Sequence, residues 1–325
     1  MDISPEKISG TKLIMKESIK VFAPATVANV VCGFDVLGFA VDNPGDEVIL
    51  KKGAGKGLKI NSITGDDGRL TLDPYKNTVG VSIKNFLDHI GESDLPVEIS
   101  LNKKMPLGSG LGSSAASSVA GVFAINQLLD CPLKQEDLLP FAMEGERIAC
   151  GSAHADNVAP GLFGGFVLIR SYDPLDVVRI PTPAGLYTTI IHPQIEVQTK
   201  DARSILRKQV LLKDAVIQWG NVGGLISGLF MGDYDLIGRS MQDVIVEPVR
   251  SILIPHFYEV KSSALEAGAL GCGISGSGPS VFALCRDESS ARKAGEAMSK
   301  AFASIGIGSE VYVSKINNVG PLILD

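Results

Sequence analysis

The sequence predicts an α+β protein of two domains, and three observations carry that expectation. At 325 residues the chain exceeds what a single hydrophobic core usually organises. Alternating stretches such as Val97, Ile99 and Leu101 are interleaved with longer helical runs. Two glycine clusters, residues 105–118 and 271–278, lie on either side of a breaker-rich stretch at 172–185 with Asp-Pro, Pro-Thr-Pro and Ala-Gly. The expected division is therefore 1–180 and 181–325.

In chain order, residues 19–24 read as a short strand closed by Pro24, and 26–33 as a loop that leads through 33–38 to a second strand at 47–51. A Gly- and Lys-bearing, hairpin-like region fills 51–73. Asn77 stands where it can cap a helix running to about residue 89. The alternation at 96–103 is a strand that delivers the first glycine cluster, and a helix over 114–129 follows, broken at Cys131-Pro132. A helix over 134–149 carries Glu144 and Glu146. His154-Ala155-Asp156-Asn157 then precedes Val-Ala-Pro-Gly, with a turn and strand at 161–169. In the second half, strands are expected at 187–192, 281–285 and 308–314. Helices are expected from 199, over 211–230, 236–244, 257–267 and 289–302.

Composition narrows the class. A 45% hydrophobic and 20% charged chain is that of a soluble globular protein. A net charge of −6 argues against a broad nucleic-acid surface, which needs clustered Lys and Arg. Five scattered cysteines without a Cys-x-x-Cys pair read as reduced thiols of a cytosolic protein. Residues 1–17 mix Lys7, Lys12 and Lys16 with Asp2, Glu6 and Glu17, so they read as neither signal peptide nor anchor. No run of some twenty apolar residues offers a membrane span. The expectation is a cytoplasmic protein without membrane or nucleic-acid partners.

The stretch Met-Pro-Leu-Gly-Ser-Gly-Leu-Gly-Ser-Ser-Ala-Ala-Ser-Ser at 105–118 is a loop feeding a helix N-terminus. Glycines let the backbone turn through conformations closed to other residues, and unpaired N–H groups of a first helical turn attract anions. Ser113 and Ser114 can cap the helix, donate to a phosphate oxygen, or offer a hydroxyl to a cation. A Walker A loop would need Lys before the hydroxyl residue, and none stands there. The dinucleotide fingerprint would need a glycine at Ser113 and an acid ending a second strand, whereas Asp130 follows a helical run.

Residues 106–118 resemble the second motif of the GHMP kinases, the superfamily of galactokinase, homoserine kinase, mevalonate kinase and phosphomevalonate kinase. The segment Pro24-Ala25-Thr26, Ala28-Asn29 and Gly33-Phe34-Asp35, Leu37-Gly38 resembles the first motif in its homoserine kinase form, with a departure at Val30 to Cys32. Gly-Ile-Ser-Gly-Ser-Gly-Pro-Ser at 273–280 resembles the third. This likeness implies a GHMP kinase fold, with an N-terminal domain like ribosomal protein S5 domain 2 and a C-terminal ferredoxin-like α/β sandwich.

By the same resemblance, ATP lies on Pro106, Leu107, Gly108, Ser109, Gly110, Leu111, Gly112, Ser113, Ser114, Ala115 and Ala116, with Asn77 near adenine. Mg²⁺ falls to Ser114 and to Glu146, eight residues before His154. An L-homoserine substrate is implied, its ammonium on Asp35, its carboxylate on Arg203 and Arg250, and its alcohol on Asn29. Arginine suits a carboxylate because its fork is planar and two-pronged. His154 and Asn157 shape the reacting end beside Asn29; Asn157 stands where relatives have an aspartate base, so direct attack without a protein base is expected, with Asp156 as the possible exception. The family is commonly homodimeric. Rival readings are another GHMP kinase such as one acting on mevalonate, a non-catalytic nucleotide-binding relative, and a nicotinamide dehydrogenase.

Overall fold

The structure, a computed structural model, describes residues 14–151 and 153–324. The reading of the N-terminal stretch falls largely on residues outside this range, and that of the Cys150 thiol on a side chain outside it. The first half contains β1 (Ser18–Ala28), β2 (Leu37–Lys52), β3 (Leu58–Thr64), α1 (Thr78–His89), β4 (Val97–Asn102), α2 (Ser113–Leu128), α3 (Leu139–Cys150), α4 (Ala155–Phe163), β5 (Phe166–Tyr172) and β6 (Leu175–Ile180). The second contains β7 (Tyr187–Pro193), α5 (Thr199–Ser204), α6 (Leu212–Met231), α7 (Tyr234–Ser240), α8 (Glu247–Arg250), α9 (Phe257–Glu266), β8 (Gly271–Ile274), β9 (Val281–Cys285), α10 (Glu288–Ala303), β10 (Ser309–Lys315) and β11 (Leu322–Leu324).

One sheet runs β11-β1-β2-β4-β3, with β5 added to β2 and β6 to β5; the other runs β10-β7-β9-β8 and is antiparallel throughout. The final strand therefore returns from the second half to the first sheet. Helix α2 packs against β1, β2, α1 and α3 and is buried on nearly every side. Its Ala, Val, Phe and Ile residues are apolar all round, as a central helix requires. Its N-terminus, and with it the glycine loop, is fixed by the core. Phe282 of β9 stacks edge-on to Phe39 of β2 at 5.6 Å, which joins the two sheets in one apolar core.

Several elements differ from expectation for identifiable reasons. Pro24 does not close β1: the register with β2 shifts between Pro24 and Thr26, and among the described residues no strand pairs with the other side of β1 past Phe22 to miss its N–H. Strand β2 starts at Leu37, not Glu47, and runs through Asn43-Pro44-Gly45. The region read as a hairpin holds β3, which pairs in parallel with β4 through the α1 crossover. Helix α4 is an addition to the expected elements, for it runs through Pro160 and Gly161, which look like breakers in the sequence. The N–H that Pro160 lacks would have bonded the Asp156 carbonyl, and that carbonyl instead abuts β2 at Gly38, where an added Cβ would come within 1.9 Å.

The stretch at 172–185 begins as a hairpin turn at Asp173-Pro174 joining β5 to β6, so its first part lies inside the first sheet. Residues 271–274 form β8, since its glycines accommodate Met241 and Val31 rather than a turn. Helix α7 ends at Ser240, short of the expected 244.

Candidate functional site

The glycine loop follows β4 and ends at Gly112, the N-cap of α2, which has no side-chain cap. Ser113 and Ser114 are thus not caps but the first residues inside the helix, and its leading N–H groups face the cleft without a side-chain acceptor. Gly108, Gly110 and Gly112 have φ of 68°, 79° and 68°. At Gly110 a Cβ would lie 2.5 Å from the Ser275 carbonyl, and at Gly112 it would lie 2.1 Å from Thr26 Oγ1, so both positions exclude any larger residue. The third motif clamps this loop: Ser275 Oγ donates to Gly110 O at 2.7 Å, and the Ser280 N–H to Ser109 O at 3.1 Å.

The serines point to different partners. Ser114 Oγ donates to Glu146 Oε2 at 2.7 Å, bringing α3 to the helix N-terminus. Ser113 Oγ donates to Asp46 Oδ2 at 3.0 Å, below the loop. There Lys103 Nζ is paired with Asp46 and donates to Ser113 O and Ser117 Oγ, both at 2.8 Å. Burial pulls the Lys103 pKa down, and the Asp46 carboxylate pulls it back up. Neither residue was singled out from sequence. The signal was present: Val97, Ile99 and Leu101 are the inward positions of β4, and the same parity turns Lys103 inward, where it needs a counter-ion.

On the opposite wall, Asn29, Val30 and Val31 take φ of 73°, 40° and 62°, so the departing turn is left-handed over three consecutive residues. Such backbone costs about 1–2 kcal/mol per non-glycine residue, and here Val30, Val31 and Cys32 are buried while Gln218 Nε2 donates to Cys32 O at 2.8 Å. Asn29 Oδ1 accepts from the Asp35 N–H at 3.0 Å, and its Nδ2 donates to Gly276 O at 2.8 Å. Arg250 Nη1 donates to the same carbonyl at 2.9 Å. Arg203 Nη2 meets the two Asp35 oxygens at 2.8 and 3.0 Å. Both guanidinium groups lie on the Phe34 ring, Arg203 at 5.6 Å and Arg250 at 4.9 Å from its centroid, a role for Phe34 that sequence reasoning missed.

His154 stands at the N-cap position of α4 without a side-chain capping bond, and its Nδ1 lies 4.0 Å from Asp35. Burial holds its pKa below the ordinary imidazole value, against the pull of Asp35. Asn157 Oδ1 accepts from Thr26 Oγ1 at 2.8 Å, directly under Gly112. Between them Asp156 is buried, and its Oδ1 has no hydrogen-bond partner among the described residues. Burial, reinforced by Asp35 and Glu146, raises this carboxyl to about 7.

These walls enclose one cleft of about 700 Å³, lined by Asn29, Asp35, Asn77, His154, Asn157, Arg203, Arg250, Glu146, Leu107, Gly108, Ser109, Gly110, Gly112, Ser113 and Ser114. Leu111, Ala115 and Ala116 are instead in the core, and Pro106 lies off the lining, so these four have no side chain in the cleft. A larger hollow of about 990 Å³ at His89, Phe141 and Leu175 contains none of the expected residues. It holds neither the glycine loop nor the two arginines, so the candidate site follows the chemistry rather than the volume.

A helix N-terminus without a side-chain cap, held by the turn at Ser275 to Ser280 and sharing a cleft with Asp35 and two guanidinium groups, is the arrangement of a small-molecule kinase of the GHMP class. The family models for the GHMP kinases N terminal domain and the GHMP kinases C terminal match residues 77–165 and 225–304. The chain belongs to the homoserine kinase family of the GHMP kinases. It is 51% identical to the homoserine kinase of Chlorobium phaeobacteroides (strain BS1), over 93% of this chain and 98% of that one. The crystal structure of homoserine kinase from Cytophaga hutchinsonii ATCC 33406 is 67% identical, with a TM-score of 0.93, covering 97% of this chain and all of that one. A weaker likeness is to L. major mevalonate kinase in complex with R-mevalonate, which at 17% identity and a TM-score of 0.69 over 94% of this chain and 99% of that one shares the fold alone.

Proposed function

We infer that the protein is an ATP-dependent homoserine kinase, which transfers the γ-phosphoryl group to the hydroxyl of L-homoserine and yields O-phospho-L-homoserine and ADP in threonine biosynthesis. One observation carries the reading: the uncapped N-terminus of α2 and the Asp35, Arg203 and Arg250 cluster open into the same cleft. Phosphoryl transfer needs alignment and charge neutralisation more than covalent help. The loop N–H groups hold the phosphates, and Asn77, which caps α1 and lines the cleft, borders the adenine. Ser114 Oγ and Glu146 Oε2 are adjacent hard oxygen donors, which fits Mg²⁺. Mg²⁺, when bound, neutralises charge on the phosphates.

The acceptor pocket explains an amino acid better than a hydroxy acid. Asp35 and Arg203 satisfy each other in the structure, so a zwitterion replaces both halves of that pair, ammonium for guanidinium and carboxylate for carboxylate. Mevalonate brings no ammonium and would leave Asp35 unmatched. Coupled ADP release tests this: L-homoserine should turn over far faster than L-serine or mevalonate, and a preference for mevalonate would contradict the reading. Arg203→Ala and Arg250→Ala should each lose roughly 2–4 kcal/mol in kcat/KM, mostly through KM for the amino acid. Unchanged KM in both would remove the clamp.

Attack is direct, with Asn29, His154 and Asn157 placing the hydroxyl. A second reading rests on Asp156, whose unpartnered Oδ1 and carboxyl near 7 suit a general base. Asp156→Asn decides between them: direct attack predicts kcat within about tenfold of wild type, and a base predicts a loss of roughly 10²–10⁴. The same variant tests linkage. Between 3.8 and about 7 the folded protein keeps a proton that the unfolded chain has lost, so wild-type stability falls as pH rises through that window. Asp156→Asn should therefore raise Tm more at pH 8 than at pH 5.

The division at 180/181, a cytoplasmic location, a homodimeric state and the lack of nucleic-acid or membrane partners belong to this reading. They are supported by the two sheets, the net charge of −6 and the family resemblance. Among the described residues no helix is long and apolar enough to cross a membrane.

A further inference from the structure

Away from the cleft, α6 stands out. From Ala215 to Met231 it contains no charged residue, and its inward side, including Ala215, Gln218, Leu225 and Leu229, is already buried. A second apolar stripe, Leu212, Val216, Trp219, Gly223 and Phe230, recurs at steps of four, three, four and seven residues and so shares one helix face. That face points to solvent: Leu212 is 71%, Trp219 63% and Phe230 57% exposed. With Ile217 and Met231 beside it, the apolar area left open is on the order of 700 Å², taking large side chains at about 150–250 Å² each. This exceeds the largest patch a monomer usually leaves, and approaches the roughly 800 Å² that each partner brings to a standard interface.

We propose that this face binds a second copy of the chain, α6 packing antiparallel on α6 about a two-fold axis. The proposal rests on the homodimeric reading above and adds the surface. A stripe without charge of either sign can match itself, as an isologous contact requires. The midpoint of the 20-residue helix falls between Asn221 and Val222, flanked by Gly220 and Gly223, where an added Cβ meets nothing within 4 Å. Two backbones can approach closely there. Antiparallel packing also sets Lys213 at the start of one helix against the carbonyl end and Asp233 of the other. A helix lying on a lipid surface would instead carry a Lys- and Arg-rich polar face, and Lys213 is the only cation of α6. Because Gln218 on the inward side holds the Cys32 carbonyl, the interface would brace the helix behind the acceptor loop.

Trp219 is the only tryptophan in the chain, so its emission reports directly on this surface. Sedimentation velocity of the full-length protein at micromolar concentration should give a dimer, and Trp219→Glu should halve the sedimenting mass while leaving ADP release within a few-fold. Gly223→Arg, at an open position on the same stripe, should do the same and covers the case in which the Trp219 variant fails to fold. Wild-type emission should shift to the red on dilution through the dissociation range. A monomeric wild type, including one that co-sediments with anionic lipid vesicles, would overturn both the dimer and the surface. A wild-type dimer that persists in the folded Gly223→Arg variant, with solvent-exposed tryptophan emission, would overturn the surface and leave the dimer and the kinase reading intact.

Discussion

Replacing Glu146 with Gln is expected to lower kcat by roughly 10³-fold at fixed Mg²⁺, several kcal/mol of transition-state stabilisation, and to raise the Mg²⁺ concentration needed for half-maximal rate. The argument is local. Glu146 is buried at the N-terminus of α2 and accepts from Ser114, whereas Asp46, the carboxylate beside Ser113, is paired with Lys103 beneath the loop. Gln keeps the shape and removes the charge. Two residues earlier, Glu144 is tied to Arg147 on the outer side of α3, so Glu144→Gln should leave the Mg²⁺ titration unchanged. Initial rates of ADP release across a Mg²⁺ series check both variants, and the reverse result would move the metal site to the outer face.

Lys103→Met should cost about 3–5 kcal/mol of folding stability, because it strands the Asp46 carboxylate in the interior. Both side chains are almost wholly buried. Asp46 would keep the Lys104 N–H and the Ser113 hydroxyl but lose its cation. Combining Lys103→Met with Asp46→Asn should recover part of the loss, since no unpaired charge remains. The pair also acts on function: Lys103 Nζ holds the Ser113 carbonyl, and Asp46 holds its hydroxyl, so the first turn of α2 is tied from beneath. In the double variant, KM for ATP should rise while KM for the amino acid stays near wild type. Urea unfolding and two-substrate kinetics separate the two effects, and an unchanged KM for ATP would confine the pair to stability.

Much of the lining of the candidate cleft was legible in the sequence because its backbone chemistry is local. Three glycines before a helix require left-handed backbone and leave an anion site, and Gly108, Gly110 and Gly112 have that backbone. The contacts that sequence could not supply are the long-range ones. Nothing near Gly110 announces that Ser275 will press on it, and nothing near Phe34 announces two guanidinium groups from α5 and α8. Arg203 and Arg250 came from the family pattern, since an arginine in isolation is normally a solvated charge. Fold errors had the same origin. Pro24 and Pro160 were read by their local habit, whereas a register shift and a carbonyl resting on Gly38 decide their actual settings. Strand β3 was hidden because parallel pairing is decided by a crossover, not by a turn.

The central claim is that the α2 N-terminus aligns the terminal phosphates of ATP with an amino alcohol held between Asp35 and two arginines. A crystal structure with a non-hydrolysable ATP analogue, Mg²⁺ and L-homoserine tests it most directly. The account predicts phosphate oxygens on the N–H groups of residues 108–114, the ammonium on Asp35 and the carboxylate on Arg203 and Arg250. Phosphates bound away from that loop, or homoserine outside the Asp35 wall, would contradict it.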